Sequence, residues 1–240
     1  MLERQAFYDL LESNLHQRIK EDHPIVNALF EEKDPDLLRL MIKQGYQLTK
    51  VFAIYVGGLY YRCPLADSRK KFAYNVFEEE TGAMSKTDGH LELLHRFTNA
   101  LGISLEELNS VEVNPETKEL IDFRFRLIED PTQFHRACAA VMIASEGQNL
   151  EDRAGAMRRE AIANGFGISV DDMIFFKVHA EEDVHHVKDG LNCVADVCTT
   201  KQMQDEAIQA IHDTCDRFND HYDGVLRSYR ELKTQKEAVL

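Results

Sequence analysis

The 240-residue sequence has no tryptophan, five prolines, twelve glycines and five cysteines, and its 28 Lys and Arg are outnumbered by 42 Asp and Glu. Each shortage excludes something. A formal net charge of −14, with no Lys/Arg cluster to offset it, argues against a nucleic-acid partner or an anionic membrane surface, since both need basic patches. The cysteines (Cys63, Cys138, Cys193, Cys198, Cys215) are odd in number and lack CxxC spacing. They form neither a disulfide framework nor a zinc site, and read as reduced thiols. The longest apolar stretch, Val51 to Tyr61, holds two glycines and is too short to span a bilayer. The start, Met1 to Gln5, has no apolar core of a secretory signal. The expectation is a soluble, cytoplasmic protein with no membrane partner.

Sparse Gly and Pro, and no sustained apolar/polar alternation, leave helical periodicity dominant. Helix starts are marked by Asp34-Pro35 and Asn114-Pro115, a capping residue ahead of proline. Ser104-Leu-Glu-Glu107 is a capping-box pattern, Ser169 precedes an acidic first turn, and Asp88 is placed to cap a helix from Gly89. Helices are expected near 2–20, 35–62, 67–80, 89–101, 104–109, 115–128, 132–148, 151–164, 169–196 and 201–234. No linker, repeat or composition shift divides the chain, so residues 1–240 are expected to form a single all-α bundle. Bundles of this composition commonly dimerise, and a homodimer is the expected assembly.

The 169–196 helix carries His179, Asp183 and His186 within a roughly 60° arc of one face. Phe175, Phe176, Cys193, Val194 and Val197 share that face. Lys177, Glu181, Lys188, Asn192 and Asp196 lie away from it. Two imidazoles and a carboxylate therefore sit inside an apolar stripe. Burying them unpartnered is costly, so either they form a His–Asp hydrogen-bond network or they hold a metal. Three such groups in register favour the metal.

Three more residues are candidates to complete the site. Glu79 shares a face with Phe72 and Val76, His90 with Leu93, Leu94 and Phe97, and Glu146 ends the apolar run Ala137 to Ser145. Taken singly, Glu79 could be a surface glutamate, His90 a core histidine and Glu146 a helix-end charge. Together, six O and N ligands suit two iron or manganese ions better than one zinc. A rival set pairs Glu92 with His95 and Glu182 with His185, the Glu-x-x-His order of a ferritin-like bundle. The helical wheel rejects it, because Glu92 falls opposite Leu93, Leu94 and Phe97, and His185 falls on a charged face.

The set Glu79, His90, Glu146 and His179-x-x-x-Asp183-x-x-His186 resembles the haem-oxygenase-like diiron oxidases and oxygenases, all-helical relatives of the thiaminase TenA and of pyrroloquinoline-quinone synthase. Asn75-x-x-Glu-Glu79-Glu80-x-Gly82 and Leu101 to Leu108 add to the likeness, which covers roughly residues 20–225. The resemblance implies a haem-oxygenase-like helical domain with Glu79, His90, Glu146, His179, Asp183 and His186 as metal ligands and Glu146 as the bridging carboxylate. It implies two Fe(II), with manganese left open by ligand type, and O2 as co-substrate. The para-aminobenzoate-forming branch consumes its own tyrosine. Asn27 stands at the matching position here, and the lysine of that branch is missing from residues 151–156. An external small molecule, amino-acid-like by family habit, is thus the expected substrate, oxidised by C–C cleavage, N-oxygenation or desaturation in a biosynthetic pathway. Arg62, Arg153 and Lys177 are candidates to hold a substrate carboxylate, and Tyr55, Tyr60 and Tyr61 are expected in the core. The polar stretch from Gly82 to His90 is expected to loosen the Glu79/His90 half of the site. Two competing functions are a TenA-like thiaminase or metal-free oxidase using Cys138, and a non-catalytic metal-binding helical protein.

Overall fold

A computed structural model describes residues 1–19, 23–150 and 162–239, and all regular structure among them is helical. In chain order the α-helices are α1 (Arg4–Arg18), α2 (Pro24–Glu32), α3 (Pro35–Thr49), α4 (Phe52–Arg62), α5 (Ala66–Thr81), α6 (His90–Ala100), α7 (Leu105–Ser110), α8 (Pro115–Glu129), α9 (Phe134–Cys138), α10 (Ile174–Val197) and α11 (Lys201–Val239). Residues 162–166 are also helical, while the rest of the helix expected over 151–164 lies outside the described residues. No helix among the described residues is long and apolar enough to cross a membrane.

The capping signals work where a side chain can reach a free N–H. Asp34 accepts from the Asp36 amide, Ser169 accepts from the Asp171 amide, and Ser104 with Glu107 closes a complete capping box. Asn114 makes no such bond and accepts from Ser228 Oγ instead. Asp88 does not cap either, since α6 begins one residue later with Gly89 in the capping position. The continuous 35–62 helix divides into α3 and α4, broken at Lys50 and Val51. The expected 132–148 helix changes pitch: after α9 the chain forms a π-helical turn over Ala139–Ser145 and a 3-10 turn over Glu146–Asn149. Every residue of the π-helical segment is buried.

Two apolar clusters meet along α10. One gathers around the π-helical segment and takes Val187, Leu191 and Val194 from α10. The other, around Leu37, Leu93 and Phe97, takes Phe175 and Val178. His179, Asp183 and His186 occupy the stretch between those two contributions and are all buried. Close approach is built in at Gly190, where a Cβ would stand 2.6 Å from the Met142 side chain. A glycine there lets α10 lie directly on the π-helical segment that ends beside Glu146.

Candidate metal centre

Side chains from four separate stretches converge. Glu79 comes from the last turn of α5, His90 from the first residue of α6, Glu146 from the end of the π-helical segment, and His179, Asp183 and His186 from α10. They fall into two triads, Glu79/His90/His179 and Glu146/Asp183/His186, and within each the candidate ligand atoms all lie within 4.8 Å of one another. All six expected residues are therefore brought together and all six are buried. The rival pairs are not. Glu92 and His185 are exposed.

In the first triad His90 Nδ1 is 3.1 Å and His179 Nε2 4.0 Å from the same oxygen, Glu79 Oε1. His179 Nδ1 lies 2.9 Å from the Phe175 carbonyl one turn earlier. A carbonyl only accepts, so Nδ1 carries the proton and the Nε2 lone pair faces Glu79. The loop before His90 is not slack. Glu78 accepts from the Met84 amide at 2.6 Å and the Ser85 amide at 3.1 Å, and the Gly82 amide closes α5 onto the Glu78 carbonyl at 2.7 Å. Gly82 holds φ +60, and a Cβ there would stand 2.1 Å from the Asp88 carbonyl. The sharp turn needs glycine. The loosening expected of this half has no support in that hydrogen bonding.

In the second triad His186 Nδ1 is 3.1 Å from Glu146 Oε1 and 3.7 Å from Asp183 Oδ1. Asn75 Nδ2 donates to Glu146 Oε1 at 3.3 Å and orients it. The electrostatics of the two triads differ. Burial pushes the Glu79 carboxyl up, but the close approach of His90 at 3.1 Å and the charge of the nearby imidazoles outweigh that and hold it below the usual carboxylate range. Burial and the charge of Glu146 push Asp183 well above that range. Burial lowers His186, yet Glu146 and Asp183 raise it to about 11.

Glu79 Oε1, both ring nitrogens of His90, both oxygens of Asp183 and His186 Nδ1 have no hydrogen-bond partner. These are six of the twelve orphaned buried side-chain atoms among the described residues. At roughly 1–3 kcal/mol each, they would cost on the order of 10 kcal/mol, as much as the whole stability of a typical domain. Cations with oxygen- and nitrogen-preferring coordination would engage Glu79, Asp183, His186 and one ring nitrogen of His90. The donor set fits iron: two histidines and one carboxylate is the ligand pattern of non-haem Fe(II) sites with open positions.

A cavity of about 210 Å3 is lined by Glu79, Glu146 and His179 and, among others, by Phe175, Phe176 and Phe218. Arg124 and Ser145 line it too. Arg124 escaped the sequence reading, although the signal was there: it falls on the apolar face of α8 with Leu120, Phe123 and Leu127, all buried. Of the basic residues expected to face a substrate, Arg62 donates to the Ile128 and Glu129 carbonyls, Lys177 is exposed, and Arg153 lies outside the described residues. Tyr55 is buried as expected, but Tyr60 and Tyr61 are exposed, on the face of α4 away from its packing partners. Cys138 is fully buried in the apolar cluster and is not among the residues lining the cavity.

Comparison with known proteins bears on the fold and the family. A solved TenA homologue from Pseudomonas syringae pv. tomato superposes with a TM-score of 0.75 at 20% identity, covering 93% of this chain and 92% of that one. A Shewanella denitrificans domain with a haem-oxygenase-like fold superposes with a TM-score of 0.72 at 17% identity, over 95% and 92% of the two chains. The fold is thus haem-oxygenase-like. The model of a family described as iron-containing redox enzymes matches residues 39–218. The chain belongs to that family and is an iron-containing oxidoreductase. Among curated relatives, a 4-aminobenzoate synthase from Nitrosomonas europaea is 26% identical over 236 residues, 93% of this chain and 92% of the relative.

Proposed function

We propose that this chain is a non-haem diiron oxygenase that binds one Fe(II) in each triad and uses O2 to oxidise a small, amino-acid-like substrate. Glu79, His90 and His179 would hold one iron, and Glu146, Asp183 and His186 would hold the other. One observation carries the reading: two adjacent buried triads share α10, and buried polar atoms of Glu79, His90, Asp183 and His186 in them have no hydrogen-bond partner. Bound iron supplies the electrons and open coordination positions for O2 that no side chain here provides.

The protein's own residues do the rest. The Phe175 carbonyl fixes the His179 tautomer, Asn75 aims Glu146, and Glu78 ties the loop that delivers His90. Phe175, Phe176 and Phe218 make the cavity wall apolar and limit water beside the ligands. The substrate is an external molecule in a biosynthetic step of C–C cleavage, N-oxygenation or desaturation.

A second reading, 4-aminobenzoate formation as the name of the relatives indicates, is favoured by Tyr46 and Tyr222, which line the same cavity. Against it, Asn27 is exposed at the position where that branch carries its tyrosine. The TenA-like alternative is weakened by the position of Cys138. Anaerobic Fe(II) loading followed by O2 exposure tests the proposal. A transient visible band, absent in His179→Ala and His186→Ala, is expected, and its absence from the wild type would remove the reading. Mass spectrometry of the O2-exposed chain separates the two substrate readings, because a protein-derived product leaves a modified tyrosine.

A further inference from the structure

We infer that Arg124 is the carboxylate anchor of the substrate pocket, so that the substrate is a small acid with an apolar body, held by its carboxylate against Arg124. The inference deepens the oxygenase reading and rests on it for the word substrate.

Arg124 is 1% exposed. Its guanidinium lies over the Tyr55 ring at 4.7 Å and near the Phe218 ring at 5.7 Å. Nε donates to the Leu120 carbonyl at 3.2 Å and Nη1 to Ser145 Oγ at 3.2 Å. Nη2 is buried with no partner. No carboxylate among the described residues pairs with it, and the ionisable neighbours it interacts with are Tyr55 and His221. A guanidinium cannot shed its charge at physiological pH, and a buried charge lacking a counter-ion is among the most costly features a fold retains. Its geometry is suited to carboxylates and phosphates.

Placement supplies the rest. Arg124 and Ser145 line the same cavity as Glu79, Glu146 and His179, and Ser145 is the residue before Glu146. Among the described residues lining that cavity, Arg124 is the only Arg or Lys. His221, the other basic side chain there beyond His179, is pushed down to about 3 by burial and by Arg124, and so stays neutral. With one Nη1 hydrogen engaged by Ser145, both N–H groups of the free Nη2 are available for charge-assisted hydrogen bonds to an entering anion. Met41, Ile42, Phe52 and Leu94 in the lining favour an apolar body. A phosphate ester, more strongly hydrated and doubly charged, is poorly matched to one guanidinium in apolar surroundings.

The test is acid-against-amide binding by calorimetry, on metal-free and on anaerobic Fe(II)-loaded protein, with benzoate, 4-aminobenzoate, hexanoate and L-phenylalanine, each beside its primary amide. At least one acid is expected to bind tenfold or more tightly than its amide. That preference should vanish in Arg124→Met and be partly kept in Arg124→Lys. Iron stoichiometry, measured on the same samples, should be unchanged in both variants. Equal binding of every acid and amide by the wild type would overturn the inference, and the wild-type comparison stands even if Arg124→Met fails to fold. Survival of the preference in a folded Arg124→Met would overturn it equally. Failure of the wild type to take up iron would instead strike the oxygenase reading, and leaves the acid preference measurable on the metal-free protein.

Discussion

The two triads are both made of buried histidines and carboxylates but are built in opposite ways. Glu79, His90 and His179 come from three helices, α5, α6 and α10, and only tertiary packing unites them. In the other triad Asp183 and His186 are one turn apart on α10, and only Glu146 arrives from elsewhere. The first has two histidines around one carboxylate, and that carboxylate is held below its ordinary pKa. The second has two carboxylates around one histidine, and burial together with Glu146 drives Asp183 the other way. Without a cation the first triad keeps its carboxyl ionised, whereas the second answers its crowding by favouring the protonated forms of Asp183 and His186. Metal binding at the second triad must therefore displace protons that the first does not hold on its carboxyl.

The largest expected effect separates the two halves directly. His179→Ala and His186→Ala should each lower bound iron from two per chain to one and reduce O2-dependent turnover by more than about 100-fold, since even outer partners of metal ligands are worth roughly 10–100-fold. Metal analysis and oxygen-electrode rates check both. Next comes Asn75→Ala. It removes the only side-chain hydrogen bond to Glu146 among the described residues, and iron affinity should fall about 10–100-fold with the Glu79 triad still filling. Equal loss from both sites in a competition titration would contradict the division.

A smaller effect has opposite signs in the two halves. In metal-free protein Asp183→Asn removes a carboxyl disfavoured by burial and by Glu146, so stability should rise by about 1–3 kcal/mol. Glu79→Gln removes a carboxylate supported by His90, and stability should fall by about 1–3 kcal/mol. Chemical denaturation without metal reads both, and equal signs would abolish the electrostatic contrast. The smallest change is a control. Ser104→Ala breaks the capping box of α7 and should cost about 1 kcal/mol without altering iron content at either triad.

How much of this could be read from the chain follows the same contrast. Asp183 and His186, with His179, were legible from helix periodicity alone, because a fixed turn of backbone places them on one stripe. Glu79 and His90 were plausible only as polar residues on apolar faces. Their meeting depends on Gly82 at φ +60 and on the Glu78 clamp, which no periodicity encodes. The pitch change at Ala139–Ser145 was not legible either. An uninterrupted apolar run carries no phase, so nothing in it tells a π-helical turn from an α-helical one. Nor was the break between α3 and α4 visible, since Lys50 and Val51 continue a helical pattern without Gly or Pro. Arg124 could have been found by the reasoning that found His179, a charged residue inside an apolar stripe. Its signal in the sequence is weak, because long basic side chains ordinarily reach past such a stripe to water.

The claim that two irons sit in two triads meets its most direct test in anaerobic Fe(II) titration of the wild type alongside His179→Ala and His186→Ala. Two equivalents per wild-type chain, and one in each folded variant, is the expected result. A single equivalent in the wild type, or two retained in either variant, would contradict it.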